Sequence, residues 1–311
     1  MDDRSQKFIM TLDINFIKKF EDNFSHNANL SNYSWFNLGG KAEYFFKAKD
    51  KKQLIEFLRE AKKKKLQITI IGAGSNTLFR DNGVKGAVIK LGNKFSYTKL
   101  INKNILDVGA ATLDRKVANY AKENNLGNLE FLSCIPGSIG GAIIMNSGCY
   151  KNDISKVLLS IQAIDIKNLS VIEIKKEDIK FSYRGTNLPN DLIIISAKLK
   201  GYKGEKQKIE KKQLDFIKKK KSSQPSQIKT CGSTFKNISN NKKAWKLIKE
   251  AGCKDYREGD AAISQKHCNF FVNNGNAKSK DIENLINKVK KKVQEKTGVD
   301  LELEIKIVGE K

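Results

Sequence analysis

Two glycine-rich segments in the first half of the chain constrain its fold more than any other feature. They are IIGAGSNTLF (70–79) and FLSCIPGSIGGAIIMNSG (131–148). Glycines let backbone N–H groups converge on an anion, and neighbouring hydroxyl and amide side chains add donors. Taken singly, the first segment is equally well explained as a plain turn and the second as tight helix–sheet packing. Together they favour a long ligand with several anionic or polar centres, such as a nucleotide diphosphate.

A Rossmann fold is a poor explanation of the first segment. Gly72 and Gly74 follow an apolar run, but the third glycine of the dinucleotide-binding fingerprint would fall at Thr77. No strong βαβ unit follows either.

The first two thirds of the chain predict an α+β body rich in strands. Apolar residues at helical spacing predict helices over 51–65 and about 113–125. Apolar runs bounded by turn residues predict strands. These are ITIIG (68–72), GAVIKL (86–91), ILDVGA (105–110), KVLLSIQAIDI (156–166), SVIEIKKEDI (170–179) and LIIISAKLKG (192–201).

The amino-acid composition of the sequence changes near residue 203. A strongly charged helical segment there ends in the turn cluster SSQPSQ, which predicts a domain boundary. Helices around 244–252 and from Ser279, with the strand NFFVN (269–273), follow. The closing run LELEIKIVG (301–309) alternates as a strand with Glu302, Glu304 and Lys306 on its polar face. We expect domains over 1–205, divided at about residue 85, and over 206–298, with 299–311 as a final strand.

The net charge of +25 raises nucleic-acid binding as a function of another class. Only six of the 59 basic residues are Arg, however, and the lysines are spread along most of the chain. Base and bidentate phosphate recognition favour Arg, so solvated lysine-rich faces explain the charge better. The clusters 62–65 and 218–221 stay open as anion-facing patches.

Cysteine use and hydropathy predict a cytoplasmic protein without membrane insertion. Five cysteines without a CxxC pair indicate reduced thiols. No apolar stretch approaches the roughly 20 residues needed to span a bilayer, and the start, MDDRSQKFIM, lacks a signal core. With only two histidines, neither a histidine-rich metal site nor a Ser-His-acid triad is well supported, and we expect no metal.

A series of segments along nearly the whole chain resembles the UDP-N-acetylenolpyruvoylglucosamine reductases (UDP-N-acetylmuramate dehydrogenases), flavoenzymes of bacterial cell-wall precursor synthesis. Each segment alone is weak evidence for the family, but their occurrence together in the family's order is a specific signal. They are YSWFNLGGKAEYF (33–45), IGAGSNTLF (71–79), IPGSIGGAIIMNSG (135–148), FSYRG (181–185), SQPSQIKTCGSTFKN (223–237), AWKLIKEAGC (244–253), GDAAISQKHCNFFVNNGNA (259–277) and LELEIKIVG (301–309).

The resemblance implies an α+β protein with a two-lobed FAD-binding fold of the vanillyl-alcohol-oxidase type over 1–205. A C-terminal α/β substrate-binding domain would follow over 206–298, and 299–311 would return to the active site as a strand. The GAGSN loop would grip the diphosphate of FAD. The cofactor-binding residues carried over are Gly72, Ala73, Gly74, Ser75, Asn76, Thr77, Pro136, Gly137, Ser138 and Gly141.

The family reduces the enolpyruvyl ether of a UDP-sugar with hydride from NADPH passed through FAD. Hydride addition leaves negative charge beside a carboxylate, so the site needs charge stabilisation and a proton donor. The resemblance assigns Arg184 to the developing enolate and Ser233 to proton donation. It selects Glu304 over Glu302 to organise the carboxylate end of the substrate. Without the resemblance, Arg184 and Ser233 would be interpreted as ordinary turn residues and Glu304 as a solvent-exposed glutamate.

The resemblance assigns the residues that would bind the UDP-sugar less directly. Asn237 and either Lys220 or Lys221 are candidates for the diphosphate and its surroundings, and Tyr183 and His267 for lining the cleft. A structural role for His267 stays equally open.

The sequence departs from the family's pattern in three places. Ile238 replaces a proline, Ser223 replaces a basic residue, and the short interval after Arg184 lacks the loop that carries a substrate-capping tyrosine. The chain thus resembles the shorter subgroup, and the way it encloses substrate stays open. We expect a monomer.

The runner-up function is an FAD-dependent oxidase or dehydrogenase of the same cofactor fold acting on another sugar or alcohol. The segment from SQP to NFFVN argues against it, since it resembles the substrate domain of the reductases. A lysine-rich nucleic-acid-binding protein is the alternative of another class. A flavin spectrum would separate it from both enzymes.

Overall fold

The computed structural model describes residues 14–239 and 241–311. The start of the predicted first domain and the segment MDDRSQKFIM lie outside the described residues. The helices are α1 (Ile14–Phe20), α2 (Lys51–Lys63), α3 (Asp114–Glu123), α4 (Ile139–Ile144), α5 (Lys206–Ser223), α6 (Ala244–Glu250) and α7 (Ser279–Thr297). Among the described residues, no helix combines the length and the apolar character that crossing a membrane requires.

The strands are short in most of the chain and longest in two sheets. They are β1 (Phe24–Asn29), β2 (Lys41–Ala48), β3 (Ile68–Ile71), β4 (Thr77–Phe79), β5 (Val84–Leu91), β6 (Thr98–Asn102), β7 (Ile105–Gly109), β8 (Leu126–Gly127), β9 (Gly148–Cys149), β10 (Asn152–Asp153), β11 (Leu158–Asp165), β12 (Ser170–Lys175), β13 (Phe181–Ser182), β14 (Gly185–Thr186), β15 (Leu192–Lys200), β16 (Tyr202–Lys203), β17 (Arg257–Glu258), β18 (Ala261–Ile263), β19 (Phe271–Asn273) and β20 (Lys306–Val308).

The first sheet has the order β1-β2-β5-β3, with β5 parallel to both of its neighbours. Helix α2 packs its apolar stripe on this sheet, as its periodicity predicts. The ring of Phe57 stacks on Phe46 at 3.9 Å, and the Asp50 side chain caps the helix by accepting from the Gln53 N–H at 3.0 Å. Strand β2, in the middle of the sheet, was not predicted.

The second sheet is antiparallel throughout, with the order β12-β11-β15-β7-β6. Helices α3 and α4 share one apolar core with it. The predicted helix near 113–125 and the predicted strands of this region are confirmed. One predicted strand is shorter than expected. Strand β12 ends at Lys175, and the segment that follows forms a 3-10 turn over Lys176–Asp178.

The C-terminal part contains the small sheet β17-β18-β19, covered by α6 and α7. The predicted stripe of α7 is buried as expected, and Phe36, Leu38 and Leu78 from the first part of the chain complete this core. Helix α5 packs towards α3: the Gln213 side-chain amide donates to the carbonyl of Ala118 at 2.9 Å. The domain boundary between residues 205 and 206 stays a prediction.

The closing strand is shorter than predicted. Only Lys306–Val308 is a strand, and it pairs in parallel with β4. Before it, the backbone bonds irregularly: the carbonyl of Glu302 accepts from the Lys236 N–H, and the N–H of Glu304 donates to the carbonyl of Thr234, both at 2.8 Å. Glu304 is largely enclosed, whereas Glu302 and Lys306 on the same predicted polar face are exposed.

Candidate active site

The two glycine-rich loops face each other between β3 and α4. A Cβ placed on Gly72 would lie 2.9 Å from the Oγ of Ser138, in the second loop. A Cβ on Gly137 would lie 3.8 Å from the Oγ of Ser75, in the first. A side chain at Gly72 would therefore crowd the second loop, whereas the distance at Gly137 shows that Ser75 lies within van der Waals contact of it.

The first loop needs glycine at position 74 for two further reasons. Its φ is 72°, and a Cβ there would lie 1.8 Å from the carbonyl oxygen of Tyr33. The backbone on either side is fixed, because the Trp35 N–H donates to the carbonyl of Gly74 at 3.1 Å. The thiol of Cys231, in the TCGS turn, contacts the carbonyls of Gly74 at 3.6 Å and Thr77 at 3.4 Å. The loop is therefore anchored from both parts of the chain.

These loops fit FAD. Gly72, Pro136 and Gly141 are exposed, and the remaining predicted loop residues are half-buried or buried. Bare backbone between two anchored loops suits a long anionic ligand. The roles of all ten predicted loop residues as FAD ligands stay predictions. The Asn76 side chain has a different visible partner, because its amide donates to the carbonyl of Glu304 at 3.0 Å.

The FSYRG turn is held by the end of the second glycine-rich segment. Its strands β13 and β14 pair as a hairpin, with Arg184 at φ 58° in the turn. The Asn146 amide donates to the carbonyl of Ser182, and Nη2 of Arg184 donates to the carbonyl of Gly148, both at 3.0 Å. The MNSG motif thus positions the arginine.

Arg184 forms an ion pair with Glu304. Its Nε lies 2.8 Å from Oε1 of the glutamate, and the side chains are only 22% and 16% exposed. Burial raises the pKa of Glu304 above its ordinary value, although Arg184 and Lys236 oppose this effect. Hydrogen bonds between charged groups are strong when shielded from water, so the pair fixes the guanidinium.

Ser233 lies on a turn that is bonded to the Glu304 segment. Gly232 has φ 81°, and Ser233 pairs as a bridge with Phe270. The next residue, Thr234, accepts the N–H of Glu304 through its carbonyl and donates its own N–H to the carbonyl of Asn269, both at 2.8 Å. The structure therefore brings the backbone of Ser233 next to the residue that binds Arg184.

Asn269 is a structural residue that sequence reasoning missed. Its side chain accepts from the Phe235 N–H at 3.0 Å and donates to the Phe235 carbonyl at 2.8 Å. The asparagine is 2% exposed and clamps the segment after Ser233. Its place in KHCNFF, as the first residue of the predicted strand NFFVN, was the only local signal.

Tyr183 and Asn237 lie together beside the arginine. The Asn237 amide donates to the Tyr183 hydroxyl at 3.2 Å, and the guanidinium of Arg184 lies 5.0 Å from the centre of the Tyr183 ring. The Asn237 Oδ1 also accepts the N–H of Ala244 at 3.1 Å. These candidate substrate residues thus form one connected group with Arg184 and Glu304.

His267 has a structural contact. Its Nδ1 accepts the N–H of Asn269 at 3.2 Å, its ring packs edge-on against Phe270, and burial lowers its pKa. Because Phe270 pairs with Ser233, the histidine lies on the frame that carries the serine.

The two candidate lysines differ in their surroundings. Lys220 points inward, where its Nζ donates to the carbonyl of Cys134 at 2.6 Å, and burial lowers its pKa. Lys221 is exposed. Lys220 therefore contacts the base of the second loop, and no contact joins it to Asn237 in the described structure.

The cysteines are free thiols, as predicted. Cys134 and Cys149 interact beneath the second loop, where a hydrogen bond from Cys149 lowers the pKa of Cys134 to about 7. Burial raises the pKa of Cys231 to about 11. Among the described residues, no cluster of His, Cys, Asp or Glu side chains could hold a metal ion.

A cleft of about 1170 Å³ borders the first loop. It is lined by Ala73 of that loop and by Trp35, Lys90, Lys229 and Arg257, among others. The described lining contains none of the three predicted catalytic residues. Lys90 was missed by sequence reasoning: its Nζ donates to the carbonyl of Gly72 at 2.6 Å from within strand β5.

Comparison with known proteins gives two matching family models. Residues 42–174 match an FAD binding domain, and residues 224–308 match the UDP-N-acetylenolpyruvoylglucosamine reductase C-terminal domain. A UDP-N-acetylenolpyruvoylglucosamine reductase from Pelagibacter ubique is 46% identical over 298 residues, covering 94% of this chain and 98% of that protein. The protein of the same name from Rickettsia canadensis is 42% identical over 286 residues, covering 92% and 96%.

A solved structure has the same fold. The UDP-N-acetylenolpyruvylglucosamine reductase from Thermus caldophilus superposes with a TM-score of 0.79 at 31% identity. The match covers 91% of this chain and 97% of that chain.

Proposed function

Because the chain belongs to the UDP-N-acetylenolpyruvoylglucosamine reductase family, we propose that it reduces UDP-N-acetylglucosamine enolpyruvate to UDP-N-acetylmuramate, with hydride from NADPH and a proton from Ser233. The predicted family, the FAD-binding fold with its C-terminal domain, FAD as cofactor and the class of FAD-dependent oxidoreductase are confirmed. The product places the enzyme in peptidoglycan precursor synthesis. The observation that carries the proposal is the Arg184–Glu304 pair, fixed beside the Ser233 turn.

FAD fits between the two glycine-rich loops, where Gly72 and Gly137 leave no side chain. Bound there, FAD would supply the hydride chemistry that links NADPH to the substrate alkene. The chain's own task is to hold the substrate carboxylate and to manage the negative charge that develops beside it.

Arg184 binds the substrate carboxylate and stabilises the enolate. Its guanidinium is aimed by two acceptors, Oε1 of Glu304 and the carbonyl of Gly148. Glu304 thereby orients the group that meets the charge, and the enclosure of both side chains strengthens the interaction.

Ser233 donates its Oγ proton to the carbon that carries the charge, which completes the saturated ether. A serine hydroxyl is a weak acid, so it must be well positioned to act. The hydrogen bonds of Thr234 and Asn269 fix the backbone around it. Water then reprotonates the alkoxide.

The UDP part of the substrate binds beside this group. Tyr183 and Asn237, which contact each other and flank Arg184, are proposed to bind it, together with Lys220 or Lys221 and His267. Ser75 and the other loop residues are proposed as FAD ligands. We further propose a cytoplasmic monomer that does not bind nucleic acid, with the division into domains expected from the sequence.

The test is to incubate the FAD-loaded protein anaerobically with NADPH and UDP-N-acetylglucosamine enolpyruvate and to analyse the products by mass spectrometry. We expect a product two hydrogens heavier, and one NADPH oxidised for each. A yellow protein that oxidises another sugar or alcohol but leaves this substrate unchanged would establish the runner-up. A protein that stays colourless after FAD reconstitution would overturn both enzymatic readings.

A further inference from the structure

Asp114 carries a fully buried carboxyl group that the reaction does not use. It is the first residue of α3 and is 0% exposed. Within residues 14–239 and 241–311, neither of its carboxyl oxygens has a hydrogen-bond partner. Unpaired buried polar groups are costly, so their retention calls for an explanation.

The carboxyl lies directly beneath the second glycine-rich loop. Its Oδ2 is 2.7 Å from the point that a Cβ on Gly137 would occupy. The backbone N–H of Asp114 donates to the carbonyl of Gly137 at 3.1 Å. Ser75 of the first loop lies 3.8 Å from the same Cβ point. The backbone of Gly137 is therefore packed on the carboxyl at the place where the two loops meet.

The contact is part of a longer pairing between the start of α3 and the second loop. The N–H of Ile139 donates to the carbonyl of Thr112 at 3.0 Å, and the N–H of Gly140 to that of Ala110 at 2.9 Å. Leu113 and Ser138 form a bridge. These bonds hold the loop on the segment, and the Asp114 carboxyl is the side-chain group nearest to the Gly137 Cβ point.

We propose that Asp114 is a positioning residue of the FAD site: its carboxyl fills the space under Gly137 and fixes the second loop opposite Ser75 in the arrangement that binds FAD. Because protein encloses the carboxyl, its influence passes through the backbone of Gly137. The inference deepens the proposed function, since it concerns the cofactor site on which that function depends. It concerns the binding of FAD and does not involve the substrate.

Burial favours the uncharged form of the Asp114 carboxyl group. It raises the pKa of Asp114 well above the ordinary value. A neutral carboxyl resembles a carboxamide in size and shape, so Asp114→Asn preserves this contact, whereas Asp114→Ala removes it and leaves a cavity under the loop.

The size relationship between the two residues gives a direct test. Gly137→Ala places a methyl group 2.7 Å from Oδ2 of Asp114, which is closer than such atoms pack, so the loop must shift away from the carboxyl. In the double variant with Asp114→Ala and Gly137→Ala, the methyl group enters the space that the shortened side chain vacates. A coupling of this kind appears as non-additivity between neighbouring residues.

The measurement is the dissociation constant of FAD, obtained by titrating deflavinated full-length protein and following the quenching of flavin fluorescence. We expect Asp114→Ala and Gly137→Ala each to weaken FAD binding by about tenfold or more, since small misplacements at a site are costly. We expect Asp114→Asn to stay within about threefold of the parent, and the double variant to bind FAD more tightly than Gly137→Ala alone.

Two control variants make the same types of substitution at other positions. Asp215→Ala removes an exposed carboxyl from α5, and Gly204→Ala adds a Cβ whose nearest neighbour is 3.4 Å away. Both are expected to leave FAD binding unchanged. If Asp114→Ala does not fold, as judged by thermal unfolding of the apoprotein, the comparison of Asp114→Asn with Gly137→Ala and with the double variant replaces it.

Unchanged FAD affinity in Asp114→Ala, equal losses in Asp114→Ala and Asp114→Asn, or strictly additive losses in the double variant would overturn the inference. The visible flavin spectrum of each loaded variant gives a second readout, since displacement of the loop should shift the absorption bands in Asp114→Ala but not in Asp114→Asn. A protein that binds FAD as expected but does not act on the enolpyruvyl substrate would refute the proposed reaction alone.

Discussion

The side-chain amide of Asn76 donates a hydrogen bond to the carbonyl oxygen of Glu304 over 3.0 Å. The N–H of Lys306 donates back to the carbonyl of Asn76 at 2.9 Å. The first glycine-rich loop and the segment that carries Glu304 are thus fixed to each other, so that the cofactor loop and the group that orients Arg184 share one frame.

Loss of this link should affect turnover more than folding. Asn76→Ala removes one partly buried hydrogen bond, which costs about 1 kcal/mol of unfolding free energy. Because one of the two bonds between Asn76 and the Glu304 segment would be lost, while the backbone bond to Lys306 remains, we expect this segment to be held less precisely and kcat to fall by about tenfold. Thermal unfolding and steady-state kinetics measure the two effects. Asn82→Ala, which removes an exposed amide bonded to the carbonyl of Lys311, is the matched control. Equal kinetic effects of the two changes would contradict the link.

The pH dependence of stability should report the burial of Glu304. A carboxyl whose pKa is raised by folding binds its proton more tightly in the native state than in the unfolded state. Its contribution to stability is fully present below the unfolded pKa, near 4.3, and is lost as pH rises through the native value. In urea unfolding, Glu304→Gln should therefore lose less stability than the parent as pH rises above the unfolded pKa. Glu302→Gln, at an exposed site, should follow the parent curve.

Arg184 should be sensitive even to replacement by lysine. A lysine keeps the charge but cannot bond both Glu304 and the carbonyl of Gly148 in the geometry of the guanidinium. We expect Arg184→Lys to lower the rate of flavin reoxidation by the enolpyruvyl substrate by about 100-fold, with little change in flavin reduction by NADPH. The exposed Arg59→Lys is the control. Equal losses in both half-reactions would point to a general structural role instead.

Much of the fold was predictable because its signals are local. The stripe of α7 and the apolar runs of the second sheet follow directly from residue spacing, and the glycine loops follow from the need for bare backbone. Strand β2 escaped prediction because it is central in its sheet, with consecutive buried residues Tyr44, Phe45 and Phe46 instead of an alternating pattern.

The residues assigned to the candidate site stay predictions, and the contacts that the structure shows among them were not predictable from the sequence. The alternation of the closing segment places Glu304 in solvent, whereas Arg184, distant in sequence, encloses and pairs with it. Asp114 likewise reads as an ordinary acidic residue in the first turn of a helix. Its burial comes from the loop at Gly137, and such long-range packing leaves no trace in local sequence.

The role of Ser233 tests the account most directly, by anaerobic stopped flow on the FAD-loaded protein and its Ser233→Ala variant. We expect NADPH to reduce the flavin at the parent rate in both proteins, and reoxidation by UDP-N-acetylglucosamine enolpyruvate to slow by about 100-fold or more in the variant, because a positioned proton donor is lost. Ser222→Ala, at an exposed serine of α5, should behave as the parent. Reoxidation at the parent rate in Ser233→Ala would contradict the central claim.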